Sequence, residues 1–268
     1  MHTIRQPAVA GTFYPAQRQQ LASNLEAMLK AAKPGGHAIF PKAIVVPHAG
    51  YRYSGPTAAA AYARLAAGRT AIRRVVLLGP VHRVPVRGLA LSGADAFATP
   101  LGKIALDAAA ITSIADMRQV VVSPAAHAME HSLEVQLPFL QSVLDDFTLV
   151  PLAVGDATPA EVAQVLEALW GGPETVIVIS SDLSHFLPYR TAQAVDRETV
   201  HSILQLDSTL THEQACGGTP VNGLLLAAQR HHLRPELLEL CNSGDTAGDR
   251  ERVVGYASFV FTEEVADA

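Results

Sequence analysis

Two cysteines in 268 residues are too few for a disulfide-stapled scaffold, and a chain of this length does not need one. It can bury roughly three quarters of its unfolded surface, enough for a core without a cross-link or a structural metal. Cys216 and Cys241 therefore read as free thiols. The 20 Lys and Arg are scattered and outnumbered by 25 Asp and Glu, giving a net charge of −5; there is no basic stripe to follow a phosphate backbone. No apolar run approaches the length of a membrane span. The opening MHTIRQPAVAG lacks the apolar core of a signal peptide, so the expectation is a cytoplasmic protein with neither nucleic acid nor membrane as partner. A Walker loop and a G-x-G-x-x-G turn are also missing, which leaves nucleotide binding without support. So is the G-x-S-x-G elbow of a serine hydrolase; Ser181, Asp182 and His185 are crowded into one loop and do not replace it.

What the chain does contain is an alternation of strand-like and helix-like segments in a composition that is 49% hydrophobic. Helical spacing runs over Gln17–Ala32 and stops at the breakers Lys33-Pro34-Gly35-Gly36. The buried strand Ile44–Val46 comes next, and Pro56 is placed to open a helix over Thr57–Ala67. Further strands are expected at Val75–Leu78, Leu89–Ser92, Val120–Val122, Thr148–Val154, Thr175–Ser180 and Leu237–Leu240. Val253–Phe261 reads as a closing strand, outer or antiparallel. Helices are expected over Asp107–Ala115, Pro159–Leu169, Ala192–Leu206 and Pro220–Arg230. His131–Leu144 has helical periodicity that Pro138 should kink or split. With no repeat and no long linker, the order predicts one α/β domain over 1–268: a three-layer α/β/α sandwich around a mixed, largely parallel sheet.

Three of the apolar strands end in histidine-bearing loops: VVPHAG with His48, LLGPVH with His82, and VISSDLSH with Asp182 and His185. In an open α/β sheet the carboxyl ends of the strands are where ligands bind, so these three tips can converge on one pocket. Neutral imidazole is a common metal ligand and a general base near neutral pH. Cys216, in QACGGTPVNGLLLAA, is a fourth candidate. It stands just ahead of an expected helix start, where the dipole favours thiolate, the form that binds metal. Cys241 is the weaker thiol. His127-Ala128-Met129-Glu130-His131 matches the H-x-x-E-H pattern of a zinc-dependent hydrolase, a distant alternative that leaves His48, His82 and His185 unexplained.

The motifs VAGTFYP, PHAGYRYSG, LLGPVHR, EHSLEVQLPFL, VISSDLSHF and ACGGTPVNGLLLA, in that order, resemble those of the Memo family, whose bacterial branch is called AmmeMemoRadiSam system protein B. The resemblance runs nearly end to end. It implies a fold like that of the class III extradiol (LigB-type) dioxygenases, which hold non-haem iron(II) with two histidines and a glutamate and use another histidine as acid/base. Carried over by motif, it makes His48 and His82 metal ligands and places Cys216 where those enzymes have their glutamate. His185 then falls at the acid/base position, with Asp182 beside it. The implied cofactor is iron(II); two histidines and a thiolate also suit copper or zinc. The resemblance further implies a small-molecule substrate, and a functional link to AMMECR1-like and radical-SAM proteins. Whether such a site turns over, or only binds metal or a partner, stays open at this level. His131 and Glu134 lie in a shared motif without an assigned role, and a structural hydrogen-bond network is the expectation for both.

Overall fold

The structure, a computed structural model, describes residues 3–32 and 40–263. In chain order it begins β1 (Ile4–Arg5), α1 (Arg18–Ala31), β2 (Ala43–Val46), α2 (Tyr51–Leu65), β3 (Arg74–Pro80) and β4 (Leu89–Leu91). Next come β5 (Ala96–Thr99), β6 (Gly102–Ala105), α3 (Ala108–Ile114), β7 (Val120–Val122), α4 (Pro124–Ala128) and α5 (Leu137–Val143). The remainder is β8 (Thr148–Val154), α6 (Pro159–Ala168), β9 (Thr175–Ser180), β10 (His185–Leu187), α7 (Tyr189–Leu204), α8 (Gly218–Arg230), β11 (Leu233–Asn242) and β12 (Val253–Glu263).

Nine strands form the main sheet, in the order β10-β12-β2-β9-β3-β8-β4-β7 with β11 also paired to β12. Its centre, β2-β9-β3-β8, is parallel, while β12 joins β2 antiparallel and β4 joins β8 antiparallel. The central strands are buried on both faces and read as unbroken apolar runs, as expected where helices cover both sides. Alternate residues separate into two cores. Ile44, Val46, Val75, Leu77, Val176 and Val178 pack with α1, α2 and α5 on one face. Val45, Val76, Leu78, Ile177 and Ile179 pack with α6 and α8 on the other. That period-two division is what makes the fold a three-layer α/β/α sandwich. Because β2, β3 and β9 run parallel, their carboxyl ends open on the same side, and His48, His82 and the 181–185 loop come directly after them.

Several elements depart from the sequence reading for identifiable reasons. Helix α2 starts at Tyr51 and carries Pro56 within it, six residues before the expected start at Thr57. Gly50 is its N-cap, Ser54 Oγ donates to the Ala49 carbonyl at 3.0 Å, and the Tyr51 hydroxyl donates to the Val135 carbonyl at 2.6 Å. Burial of Tyr51 thus extends the helix past a proline whose effect is one missing intrahelical bond. Pro138 does split its segment: a 3₁₀ turn over Glu134–Gln136 precedes α5, with the proline in its first turn. Strand β11 is ten residues long rather than the expected Leu237–Leu240, and Pro235 fits there because β11 is an edge strand. Strand β12 is antiparallel but not outer, since β10 and β11 cover the side away from β2. A second sheet, β1-β5-β6, was not anticipated; its two- to four-residue strands have no apolar run to reveal them. The breakers at Lys33-Pro34-Gly35-Gly36 fall outside the described residues on the C-terminal side of α1.

Candidate metal centre

His48 lies just beyond the end of β2 and is fully enclosed. Its Nδ1 lies 2.8 Å from Ser180 Oγ. The Ser180 hydroxyl has one proton, and that proton is committed to the Ser132 carbonyl at 2.6 Å. It must therefore accept from His48, which places a proton on Nδ1 and leaves Nε2 with a free lone pair. A relay fixes the arrangement from behind. Tyr62 donates to Gln136 Oε1 at 2.9 Å, and Gln136 Nε2 donates to the Pro47 carbonyl and to Ser180 Oγ, both at 3.0 Å. Burial first, then the neighbouring His82 and His131, push the His48 pKa well below the imidazole range, so the ring is neutral at pH 7.

His82, beyond β3, is oriented by a carboxylate. Glu130 Oε1 lies 2.8 Å from His82 Nδ1, and Glu130 Oε2 accepts the His82 backbone N–H at 2.6 Å. The same Oε1 takes the backbone N–H groups of His131 and Ser132 at 2.8 and 2.9 Å. Burial alone would raise the Glu130 pKa; its hydrogen bond and charge interaction with His82, with the backbone amides, outweigh that and hold it at about 2. An ionised carboxylate only accepts, so His82 carries a proton on Nδ1, and in the neutral ring the free lone pair is then on Nε2.

His131 completes the cluster. One ring nitrogen from each of His48, His82 and His131 falls within 4.8 Å of the others, a group that could hold a metal ion. The ring centroids are 4.6 to 5.5 Å apart. Burial, followed by the neighbouring His82, lowers the His131 pKa as well. Cys216 adjoins from the far side, its Sγ 3.3 Å from His48 Nε2 and 3.3 Å from the Asp182 backbone N–H that it accepts. Since His48 Nε2 has no proton, the thiol is the donor in that contact. The dipole-based expectation of a thiolate needs correcting here: burial, and then the nearby Asp182, raise the Cys216 pKa, and those effects exceed any help from the start of α8.

Asp182 accepts the His48 backbone N–H at 2.7 Å and keeps its second oxygen 3.9 Å from His48 Nε2. His185 stands at the head of β10, with Nδ1 donating to the Leu183 carbonyl at 2.8 Å and Nε2 left free. Asp182, His185 and His131 line one cavity of about 410 Å³ together with Phe13, Tyr53 and Tyr256. His185 and Asp182 are thus neighbours of the histidine group but not members of it. Cys241 lies in β11 with Sγ 3.1 Å from Thr57 Oγ1, and belongs to neither.

The sequence reading expected His131 in a structural hydrogen-bond network, whereas the structure brings it to His48 and His82; it did not identify Glu130 as the anchor of His82. The H-x-x-E-H pattern did point to this segment, but its two histidines do not share a helix face. Helix α4 ends at Ala128, and His127 donates through Nε2 to the Ala90 carbonyl at 2.7 Å, away from the cluster. Glu134 is the structural residue expected. Fully buried, it pairs with Arg5 and accepts from Ala8 N at 2.7 Å, Val9 N at 3.0 Å and the Tyr14 hydroxyl at 2.6 Å. This ties down the VAGTFYP segment and seats Phe13 against His131, ring centroids 4.7 Å apart. Glu134→Ala leaves the buried Arg5 guanidinium unpaired and should destabilise the fold by about 3–5 kcal/mol. Chemical denaturation checks this, and a loss under about 1 kcal/mol would mean that the network is dispensable.

Comparison with known proteins gives the family. The family described as Memo-like protein matches residues 5–260. A MEMO1 family protein of Metallosphaera sedula is 33% identical over 286 aligned positions, covering 97% of this chain and 99% of that protein. One from Aquifex aeolicus is 36% identical over 271 positions, covering 96% and 99%. Among solved structures, an uncharacterized protein (JW3007) from Escherichia coli K12 aligns with a TM-score of 0.49 at 16% identity, over 82% of this chain and 99% of that one. The match over nearly the whole length identifies this chain as a member of the Memo-like family, with three histidines gathered at the carboxyl end of its sheet.

Proposed function

We propose that this chain is a metal-dependent oxidoreductase of the non-haem, dioxygenase-like kind acting on a small molecule, with His48 and His82 as ligands. The observation that carries the reading is the pair of supports behind the two rings: Ser180 and Glu130 each hold a ring Nδ1 proton, so each neutral ring can turn an Nε2 lone pair to an ion, that of His48 in place of its contact with the Cys216 thiol. The donor set fits a borderline metal, since imidazoles with a neighbouring sulfur suit iron, copper or zinc. Two donors on one tetrahedral ion, a sulfur and a nitrogen, lie about 3.6 Å apart, close to the contact between Cys216 and His48. Cys216 and His131 are therefore both in position to supply the remaining donors. Iron(II) is the choice the family resemblance favours, and it supplies the one-electron redox chemistry that no side chain here has.

The protein's own part is proton handling and exclusion of water. His185 Nε2, free and at the cavity, is the group to take a proton from a substrate hydroxyl. Asp182 fixes the backbone of His48 and presents its second oxygen towards the same space. A link to AMMECR1-like and radical-SAM proteins belongs to this reading through the resemblance alone, and co-purification tests it.

The experiment loads the chain anaerobically with iron(II), then follows oxygen uptake with a panel of catechols. His185→Ala should retain the metal and lose about 10²–10⁴-fold of the rate. Loss of metal in that variant would make His185 a ligand and end the division of roles. A second reading, metal binding without turnover, is favoured by one feature: no carboxylate joins the three-histidine group among the described residues, whereas iron oxygenases of the facial-triad kind use one. Absence of oxygen uptake by the wild-type protein with every catechol would favour it. No helix among the described residues is long and apolar enough to cross a membrane.

A further inference from the structure

We propose that Asp196, a buried carboxylate on α7 outside the cavity, is a positioning residue that fixes the tautomer of His185 through the one peptide unit joining Leu183 to Ser184. The inference rests on the reading of His185 as the group that takes a proton. Three features of the structure support it.

The first is the peptide itself. Its N–H, on Ser184, donates to Asp196 Oδ1 at 3.0 Å, and its C=O, on Leu183, accepts from His185 Nδ1 at 2.8 Å. In a trans peptide the N–H and C=O point in opposite directions, so carboxylate and imidazole sit at the two ends of one amide dipole. An anion at the N–H end polarises the amide and makes its oxygen a stronger acceptor. The stronger acceptor holds the ring proton on Nδ1, which leaves the lone pair on Nε2 of a residue that lines the cavity. Glu130 performs the same task for His82 by direct contact; for His185 a peptide stands between.

The second is how firmly the carboxylate is seated. Asp196 is 2% exposed. Burial raises its pKa, opposed by Ser184 and then by His185. Gly255 of β12 lies against it: a Cβ at that position would fall 2.1 Å from Oδ2 and 2.7 Å from Oδ1. A side chain at 255 and a carboxylate in this place therefore exclude each other. Gly255 also accepts the Leu183 N–H at 2.8 Å and donates to the Ser184 carbonyl at 2.9 Å. The relaying peptide is thus pinned on both flanks as well as at its N–H.

The third is the chain beyond the ring. Phe186 has φ of 57°, a left-handed conformation rarely adopted by a bulky side chain, at the bulge where β10 meets β12. The backbone turns there directly after His185, while the ring reaches back two residues to the Leu183 carbonyl.

The test reads the ring without turnover. Nitrogen NMR of histidine-labelled protein, after chelation of metal and with the ring neutral, gives the tautomer; His185→Gln assigns the signals. The wild type should hold His185 mainly as the Nδ1–H form. Asp196→Asn keeps size and an acceptor but removes the charge, and should raise the share of the Nε2–H form by about fivefold or more. Gly255→Ala keeps the charge but displaces the carboxylate, and should shift the ring the same way. Hydrogen exchange at the Leu183 and Gly255 amides should stay as slow in Asp196→Asn as in the wild type. An Nε2–H ring in the wild type overturns the proposal whether or not either variant folds. An unchanged tautomer in Asp196→Asn also overturns it, as does a shift accompanied by lost protection at those amides, which would make Asp196 a structural tie. Absence of oxygen uptake by the wild type counts against the proposed reaction alone, since the tautomer decides the role of Asp196.

Discussion

His48→Ala should lose bound metal almost completely, with affinity down by at least about a hundredfold, since altering even the outer partners of a ligand weakens metal binding 10–100-fold. The variant removes a whole donor and also the buried ring on which Ser180 and Cys216 converge. Ser180→Ala is the informative companion. It keeps the imidazole but removes the acceptor that holds the Nδ1 proton, so the ring is free to place its proton on Nε2 instead. Its affinity should fall by about 10–100-fold, short of the loss in His48→Ala. Metal content by mass spectrometry and calorimetric titration of zinc and iron(II) measure both. Metal retained at wild-type stoichiometry and affinity in His48→Ala would remove the histidine group from consideration as the site.

The second large effect is in the pH dependence of metal affinity, and it distinguishes sulfur from nitrogen as the third donor. Burial and then Asp182 raise the Cys216 pKa, so its proton stays on sulfur across neutral pH. If Sγ becomes a ligand, each ion bound releases that proton. Affinity should then climb about tenfold per pH unit, or about a hundredfold between pH 6 and 8, and fall as pH drops. Burial lowers the His48 and His131 pKa values, which reduces the share of the two rings in that slope. Cys216→Ser isolates the thiol: the wild-type slope should exceed that of the variant by about one unit. Identical slopes, with unchanged affinity, would assign the third position to His131.

Much of this arrangement was legible in the chain because parallel strands announce themselves. Ile44–Val46, Val75–Leu78 and Thr175–Ser180 are buried on both faces, and each ends in a loop with its chemistry in the next few residues. Residues just past a strand tip can be read; those that arrive from elsewhere cannot. His131 comes from the segment between α4 and the 3₁₀ turn, placed by its backbone N–H donating to the carboxylate of its own neighbour Glu130 rather than by any periodicity. The H-x-x-E-H spacing pairs His127 with His131, but α4 ends at Ala128 and His127 bonds the Ala90 carbonyl, so the two rings do not meet. The same limit applies to Phe186: nothing in SHFLPYR tells that its phenylalanine takes a left-handed backbone.

The single carboxylate of Glu130 has a consequence for how long an ion would stay. By gripping the His82 ring, the His82 amide and the His131 amide together, it couples two potential donors into one mechanical unit. Such a pair acts as a chelating claw: after one imidazole lets go, the other keeps the ion close enough for rapid recapture. Exit must also pass this unit, because His48 is 2% exposed whereas His82 and His131 are 30% and 19% exposed. Glu130→Gln keeps a hydrogen-bonding partner of similar size but exchanges two acceptors for one. It should shorten the residence time of the metal far more than it slows entry, which competition with a chromogenic chelator would read directly as a faster release rate.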